Sequence, residues 1–307
     1  MAFSASESAF EGFRIIRREP ATVAIWAVVL LVLGAIVSAT MLPVLGQFAA
    51  GITPGATATS PAQLAAFGHL MQLYLVVFPL YLVLLSVFTA AIYRVVLRPQ
   101  DRGFARLKLG ADELRLVGLC LLMGLLSIGF SLVVLLVAGA LVAGLALAFR
   151  TSAPAVGVIG AILIYLLMIA AYIWVGVRLS FAAPMTFTQK RIRLFSSWRL
   201  TKGRFWPLLG CYLLAWVFMV LVLLVDLVVS GVLMLGAAGG SFSRVATTMF
   251  RPDVTSAMNL LSPIFIVRLV VGAVFGVVMW TVALAAPAAA YRAIAAPRPE
   301  DQAETFA

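Results

Sequence analysis

Long runs of apolar residues dominate this chain, and short charged segments separate them. No Asp, Glu, Lys or Arg occurs from position 20 to 93 or from 116 to 149. A helix needs about 20 apolar residues to cross the hydrocarbon core of a bilayer, so each run can cross it once or twice. Because a backbone in lipid must satisfy its own hydrogen bonds, every span is predicted to be an α-helix. We count six spans, at about 21–45, 68–97, 115–149, 155–182, 206–238 and 263–290.

The composition supports a membrane protein and excludes a soluble one. Hydrophobic residues make up 64% of the 307 positions and charged residues 11%, and the mean hydropathy is +1.13. A soluble chain of this length has no means of hiding so much apolar surface from water. The expected fold class is therefore all-α, a polytopic membrane protein in which the lipid bilayer is the solvent.

The basic residues predict the orientation of the six spans. All but four of the 22 Lys and Arg residues lie before the first span, in the segments 94–115 and 178–204, or after the last span. The positive-inside rule then places both termini in the cytoplasm, as expected for a multi-pass protein of a bacterial inner membrane. The first apolar run exceeds a signal-peptide core and is interpreted as an uncleaved anchor. Since the net charge of +11 follows the membrane topology, no nucleic-acid partner is predicted.

Two short patterns recur three times and predict an internal repeat. A Phe-x-x-bulky-basic-aliphatic pattern starts at Phe10, Phe104 and Phe195, just before a long apolar stretch in each case. A second pattern closes each unit, as Tyr93-Arg94-x4-Pro99, Val177-Arg178-x5-Pro184 and Tyr291-Arg292-x4-Pro297. We interpret residues 1–307 as a single membrane domain of three hairpin repeats, about 8–99, 102–184 and 193–297, with a short cytoplasmic tail at 298–307. The alternative is coincidence, because basic and aromatic residues collect at membrane interfaces in any protein.

Each hairpin is expected to follow a cytoplasmic amphipathic helix. In the third unit, positions 188–204 place Leu194, Phe195 and Trp198 on one face at helical spacing, which predicts a helix in the headgroup layer. In the second unit, Gly110 before two acidic residues predicts a break and a new helix start. Ser60-Pro61-Ala62-Gln63 predicts the start of the second span helix. A short surface helix is expected in the last external loop, 239–262.

With these motifs the chain resembles a family of bacterial six-span membrane proteins. That family includes the membrane domain that precedes some glycerophosphodiester phosphodiesterases. The resemblance covers nearly the whole chain and implies a fold and a compartment. It does not imply hydrolysis, because the catalytic domain is expected to be absent: only residues 300–307 follow Pro299.

Two features inside the apolar runs are candidates for a structural or functional role. Asp226 and Arg268 are the strongly charged residues that lie deep in them, and an unpaired charge there is costly, so an intramembrane ion pair is predicted. That pair is either a structural link between the fifth and sixth spans or part of an ion or proton relay. Gly272 and Gly276 form a Gly-x-x-x-Gly pattern, which favours close packing of another helix.

The segment 178–204 is the main candidate for binding. It has seven basic residues, no acidic residue and several interleaved aromatic residues, a composition that attracts anionic lipid headgroups. Arg94, Arg178 and Arg292 occupy equivalent repeat positions and are a candidate ring around one headgroup. Ordinary topology determination and snorkelling arginines are the alternatives. The predicted headgroup contacts are Arg94, Arg178, Arg292, Lys190, Arg191, Arg193, Arg199, Lys202 and Arg204.

The sequence contains few residues or motifs that would support enzyme catalysis. It contains one histidine, and it lacks the Gly-x-Ser-x-Gly, His-Glu-x-x-His and Gly-Lys-Ser/Thr patterns. No catalytic residue, cofactor or metal is predicted. The leading hypothesis is a non-enzymatic membrane module that binds anionic lipid or a partner membrane protein through its basic cytoplasmic face. The alternative is a small-solute or lipid transporter that uses Asp226 and Arg268, and the oligomeric state stays open.

Overall fold

A computed structural model describes residues 3–51, 61–101, 103–149, 154–250 and 261–295. Within these ranges the chain is helical and contains no β-strand, which confirms the predicted fold class. The α-helices are α1 Ala5–Ala9, α2 Glu11–Arg18, α3 Pro20–Gly51, α4 Pro61–Leu97, α5 Ala111–Ala148, α6 Pro154–Leu179, α7 Ala182–Gln189, α8 Ser196–Leu200, α9 Phe205–Ala237, α10 Phe242–Phe250 and α11 Pro263–Ala295.

Six of these helices are long and apolar enough to cross a membrane: α3, α4, α5, α6, α9 and α11. They coincide with the six predicted spans, and the chain is a multi-pass membrane protein. The longest, α5, has 38 residues and therefore extends about 57 Å at 1.5 Å per residue. That length exceeds the hydrocarbon core of about 30 Å, so α5 is tilted in the bilayer or projects beyond it.

Proline and glycine mark where the long helices begin. α3, α4, α6 and α11 each have proline as their first residue, a position where the missing N–H would have had no partner within the helix. The predicted start of the second span at Pro61 is confirmed, while its predicted capping residue Ser60 lies outside the described residues. α5 begins directly after an extended Gly110, with two acidic residues in its first turn, as predicted.

The described chain divides into two compact units. The middle unit contains the described residues of 1–5, 109–210 and 290–307, and the flanking unit contains those of 6–108 and 211–289. In the flanking unit, the buried rings of Trp26 and Phe88 meet edge to face at 6.3 Å, and Phe88 meets Trp280 at 5.8 Å. These contacts hold α3, α4 and α11 together, since aromatic pairs stabilise beyond the area that they bury.

The middle unit is built on the hairpin of α5 and α6. Phe130 packs edge to face on Tyr172 at 5.1 Å, and the Tyr172 hydroxyl donates to Ser131 Oγ at 2.8 Å. Gly160 lies so close to Leu145 that a Cβ built on it would be 2.6 Å from Leu145 Cδ1. This glycine therefore permits the close approach of the two helices near their loop ends.

The three copies of the Phe-x-x-bulky-basic pattern adopt three different local structures. The first leads into α2, which buries Gly12 and Ile15 and exposes its arginines. The second forms a 3₁₀ turn of three residues, Phe104–Arg106. The third caps the five-residue helix α8. The threefold repeat stays a prediction.

The predicted single amphipathic helix over 188–204 is wrong. α7 ends at Gln189 because Lys190 adopts a left-handed conformation, with φ +54°, and the helix resumes only at Ser196. Such a residue terminates a helix, since its backbone cannot continue the right-handed path. The predicted short helix in the last external loop is confirmed as α10.

Candidate functional site

The candidate site lies in the middle unit, where the end of α6 meets α8. The Ser197 hydroxyl donates to the Arg178 carbonyl at 2.7 Å, and the Phe181 backbone N–H donates to the same hydroxyl at 3.1 Å. Thr201 Oγ1 lies 3.4 Å from the Arg178 carbonyl as well. The last carbonyls of a helix have no hydrogen-bond donor within it. The two hydroxyls therefore provide donors for the Arg178 carbonyl near the end of α6. Both side chains are fully buried, and they fix the 196–201 segment against α6.

Two tryptophans that contact each other lie beside the guanidinium of Arg178. Trp174 lies one turn earlier on α6, and Trp198 comes from α8; their rings meet edge to face at 4.9 Å. Arg178 Cζ lies 5.7 Å from the Trp174 ring centroid and 5.8 Å from that of Trp198. These distances are typical of cation–π interactions.

Arg178 has no ion-pair partner among the described residues. Its Nε and Nη1 atoms are buried and make no hydrogen bond there. A guanidinium is always charged, and a charge in surroundings this apolar is costly without a nearby counter-charge. The surrounding segment 178–204 has no acidic residue that would provide one.

The other predicted headgroup contacts in this segment follow Arg178 along the chain. Lys190, Arg191, Arg193, Arg199 and Lys202 are exposed, and Arg204 is half-buried. Arg292, which follows the buried Tyr291 on α11, is also exposed. Tyr291 itself lies against this region, with its ring 5.8 Å from Phe181 and its hydroxyl 3.2 Å from Thr188 Oγ1.

Arg94 differs from the other predicted contacts, because the structure places it inside the flanking unit. Its side chain is 3% exposed, Nη1 donates to the Arg106 carbonyl at 2.9 Å, and Nε lies 3.6 Å from Asp101 Oδ2. A guanidinium enclosed by the protein is not available to a lipid headgroup. The predicted headgroup contact of Arg94 is therefore corrected to an internal structural role, and a three-arginine ring loses one member.

Arg94 belongs to a network that closes the connection between α4 and α5. Arg106 binds Glu19 through two nitrogens, with Nε 3.0 Å from Oε2 and Nη2 2.5 Å from Oε1. The Trp26 indole N–H donates to the Ala105 carbonyl at 2.8 Å. Ala105 and Arg106 have φ values of +46° and +57°, in the left-handed region that non-glycine residues rarely adopt. The side-chain bonds hold this strained turn against the start of α3.

Asp101 completes that network at its exposed side. The Lys108 ammonium bonds to the Asp101 carboxylate and holds the pKa of that carboxyl below its ordinary value of 3.8. The charges of Arg94 and Arg98 act in the same direction. The carboxylate is thus stabilised in its ionised form by its basic neighbours.

The predicted ion pair of Asp226 and Arg268 does not occur among the described contacts of the flanking unit. Asp226 Oδ1 instead accepts a hydrogen bond from Ser230 Oγ at 3.0 Å. Ser230 lies one turn further along α9, so a local partner is available without a second helix. Arg268 is exposed on α11, near the start of that helix, where a long side chain can extend towards the interface.

Gly272 and Gly276 are not points of close helix packing within the described chain. A Cβ built on Gly272 would meet no atom within 4 Å, and one on Gly276 would reach only the end of Leu30 at 4.0 Å. The tight contact lies elsewhere, because a Cβ on Gly12 would be 2.5 Å from Val282 Cα. No Gly-x-x-x-Gly pattern surrounds Gly12, so the sequence carries no signal for this contact.

Comparison with known proteins adds no functional assignment to this geometry. The chain matches no known protein family, no characterised protein and no solved structure. The resemblance to the membrane domain of glycerophosphodiester phosphodiesterases stays a prediction.

Proposed function

We propose that this protein is a non-enzymatic module of a bacterial inner membrane that binds anionic phospholipid through residues 178–204. Both termini are then cytoplasmic, and this segment faces the anionic headgroups of the inner leaflet. The observation that carries the proposal is Arg178, a partly buried cation without an acidic partner among the described residues. Anionic lipid headgroups are plentiful at the cytoplasmic surface of the membrane, and they would supply the missing counter-charge.

The exposed basic residues extend this argument from one charge to a surface. Five exposed Lys and Arg side chains lie between positions 190 and 202, and each basic residue near an anionic membrane surface contributes about 1 kcal/mol. Phe195 and Trp198 stand between them, and Phe195 is 69% exposed. An aromatic ring beside a cation suits the boundary between headgroups and hydrocarbon.

Neither alternative has comparable support. A transporter that uses Asp226 and Arg268 needs polar residues that cooperate inside the bundle, whereas Asp226 bonds to Ser230 on its own helix. A partner membrane protein would require an acidic surface complementary to 178–204, and the test below detects such a partner directly.

The test is native mass spectrometry of the protein released from nanodiscs of phosphatidylglycerol and phosphatidylcholine in equal amounts. We expect retained phosphatidylglycerol in excess over phosphatidylcholine. Arg178→Gln should reduce this excess about fivefold, which corresponds to about 1 kcal/mol. Arg244→Gln, on α10 and at the other end of α9, serves as the matched control and should leave the excess unchanged.

Equal retention of the two lipids would contradict the proposal. So would an unchanged phosphatidylglycerol excess in a variant that carries Gln at Arg178, Arg193 and Arg199 together. A third outcome is that the protein extracted from its native membrane carries a second protein in constant ratio and no anionic lipid. In that case the basic segment binds a protein partner and not a lipid.

A further inference from the structure

An apolar groove runs along α5 in the middle unit, directly beside the basic segment. Leu122, Leu126, Gly129 and Val133 recur at helical spacing along its wall, and Leu194 and Phe195 close one end. Its volume is about 470 Å³, and its walls are almost wholly apolar. Gly129 is one of the lining residues, and a Cβ built there would meet no atom within 4 Å.

A second, more open cavity adjoins this groove, and its surface is also mostly apolar. Ser196, Trp198 and Arg199 line it together with Phe195, the residue that also lines the groove. Its volume is about 590 Å³. The Phe195 side chain thus belongs to both linings, and the exposed Arg199 is among the residues that line the second cavity. Arg178 lies close to one of these lining residues, with its Cζ 5.8 Å from the Trp198 ring.

We infer that the two cavities together form the binding site of one anionic phospholipid. One acyl chain lies in the groove along α5, and the headgroup phosphate lies at Arg199, near Arg178, whose charge has no acidic partner among the described residues. This inference rests on the proposed function and adds the location, the orientation and the acyl-chain contact of the lipid. Two features identify the occupant. The apolar groove matches an acyl chain, and the basic residues Arg178 and Arg199 beside it match an anionic headgroup.

The dimensions of the groove agree with one lipid leaflet. From Leu122 to Val133 an α-helix rises about 16 Å, roughly half of the hydrocarbon core of about 30 Å. The basic segment crosses α5 at the headgroup end, where Ile192 Cδ1 lies 3.4 Å from the position of a Cβ on Gly118. An acyl chain that starts at Phe195 and follows the groove therefore ends near the bilayer midplane.

Photo-crosslinking with phosphatidylglycerol that carries a diazirine in one acyl chain tests this site. The protein is reconstituted in phosphatidylcholine vesicles, and the crosslinked peptides are located by mass spectrometry. We expect the label on the 122–133 segment and on Phe195, and about fivefold less label with the matching phosphatidylcholine probe. The diazirine is at a known position in the acyl chain of the probe, so the labelled residues also report the orientation of the bound lipid.

Gly129→Leu adds a side chain at a lining position where a Cβ meets no atom within 4 Å, and it is expected to abolish this label. Gly124→Leu is the matched control, because it makes the same change on the same helix, also in open space, and outside the groove lining. It should keep the label. Arg199→Gln should lower the preference for phosphatidylglycerol about fivefold while the labelled positions stay the same.

The outcomes separate the site from the function. If phosphatidylglycerol is preferred but labels other segments, or if Gly129→Leu and Gly124→Leu behave alike, the groove is not the site and the proposed function stands. If the groove is labelled equally by both lipids, the anionic headgroup assignment fails. If neither lipid gives a defined label, the bound-lipid site is overturned, and retention in the nanodisc experiment decides the proposed function separately.

Discussion

Gly12 has no room for a larger side chain, because α2 lies directly on the backbone of α11. A Cβ at this position would be 2.5 Å from Val282 Cα and 3.1 Å from the Thr281 carbonyl oxygen. Gly12→Ala should therefore destabilise the fold by about 1–3 kcal/mol, although alanine favours a helix by about 1 kcal/mol. The midpoint of thermal unfolding in a mild detergent measures this loss.

Gly68→Ala on α4 is the matched control, since a Cβ there would meet nothing within 4 Å. It should leave the midpoint unchanged or raise it slightly. Equal midpoints for the two variants would show that the contact of α2 with α11 does not restrict Gly12.

The Ser197 hydroxyl attaches the basic segment to the end of α6. Ser197→Ala removes the hydroxyl that accepts from the Phe181 N–H and donates to the Arg178 carbonyl, a loss that costs about 1–3 kcal/mol for buried groups. We expect faster amide hydrogen exchange at 178–201 in the variant. Ser196→Ala, its half-buried neighbour, is the control, and exchange that matches wild type in Ser197→Ala would contradict this role.

The connection between α4 and α5 depends on the pair of Glu19 and Arg106. Arg106 is 8% exposed and occupies a strained left-handed turn, so the loss of its carboxylate partner leaves a largely buried cation. Glu19→Gln should lower stability by about 2 kcal/mol, measured as a lower unfolding midpoint. The exposed Glu7→Gln provides the control, with an expected effect below about 0.5 kcal/mol.

Asp101 makes the same connection sensitive to pH. Its pKa is lower in the folded protein than the ordinary value of 3.8, so its contribution to stability is present above that value. The contribution is lost as the pH falls through the lower folded pKa. The difference in unfolding midpoint between wild type and Asp101→Asn should be constant above about pH 5 and shrink below about pH 4. A difference that grows on acidification would contradict the sign of this shift.

Some elements follow from the sequence because their causes are local. Proline at the first helical position and Gly110 before two acidic residues mark helix starts, and both signals act within a few residues. The segment 188–204 behaved differently. Its apolar residues fit a helical period, yet Lys190 adopts a left-handed conformation and Ser197 bonds to α6. The structure of this segment depends on a contact with a different helix, that of Ser197 with the end of α6. The spacing of apolar residues carries no information about such a contact.

Six spans with basic residues concentrated on alternate connections predict one orientation for the whole molecule. Both ends should lie in the cytoplasm, because short loops rich in Lys and Arg stay on that side. A fluorescent protein fused to either end should fluoresce, and alkaline phosphatase fused to either end should be inactive. Opposite results for the two ends would require an odd number of crossings and contradict six spans.

The sequence alone was sufficient for the six membrane helices, their class and the basic character of 178–204. Burial of apolar residues in lipid depends on local composition, which a single segment carries by itself. The pairing of charges, by contrast, follows from the way the helices pack in the folded chain. The folded chain has Arg94 beside Asp101, Asp226 bonded to Ser230, and Arg178 beside two tryptophans that contact each other. Such pairings depend on which helices meet and in what rotation, since a charged side chain reaches only a few ångströms. For the same reason the close contact at Gly12 is visible only in the folded chain.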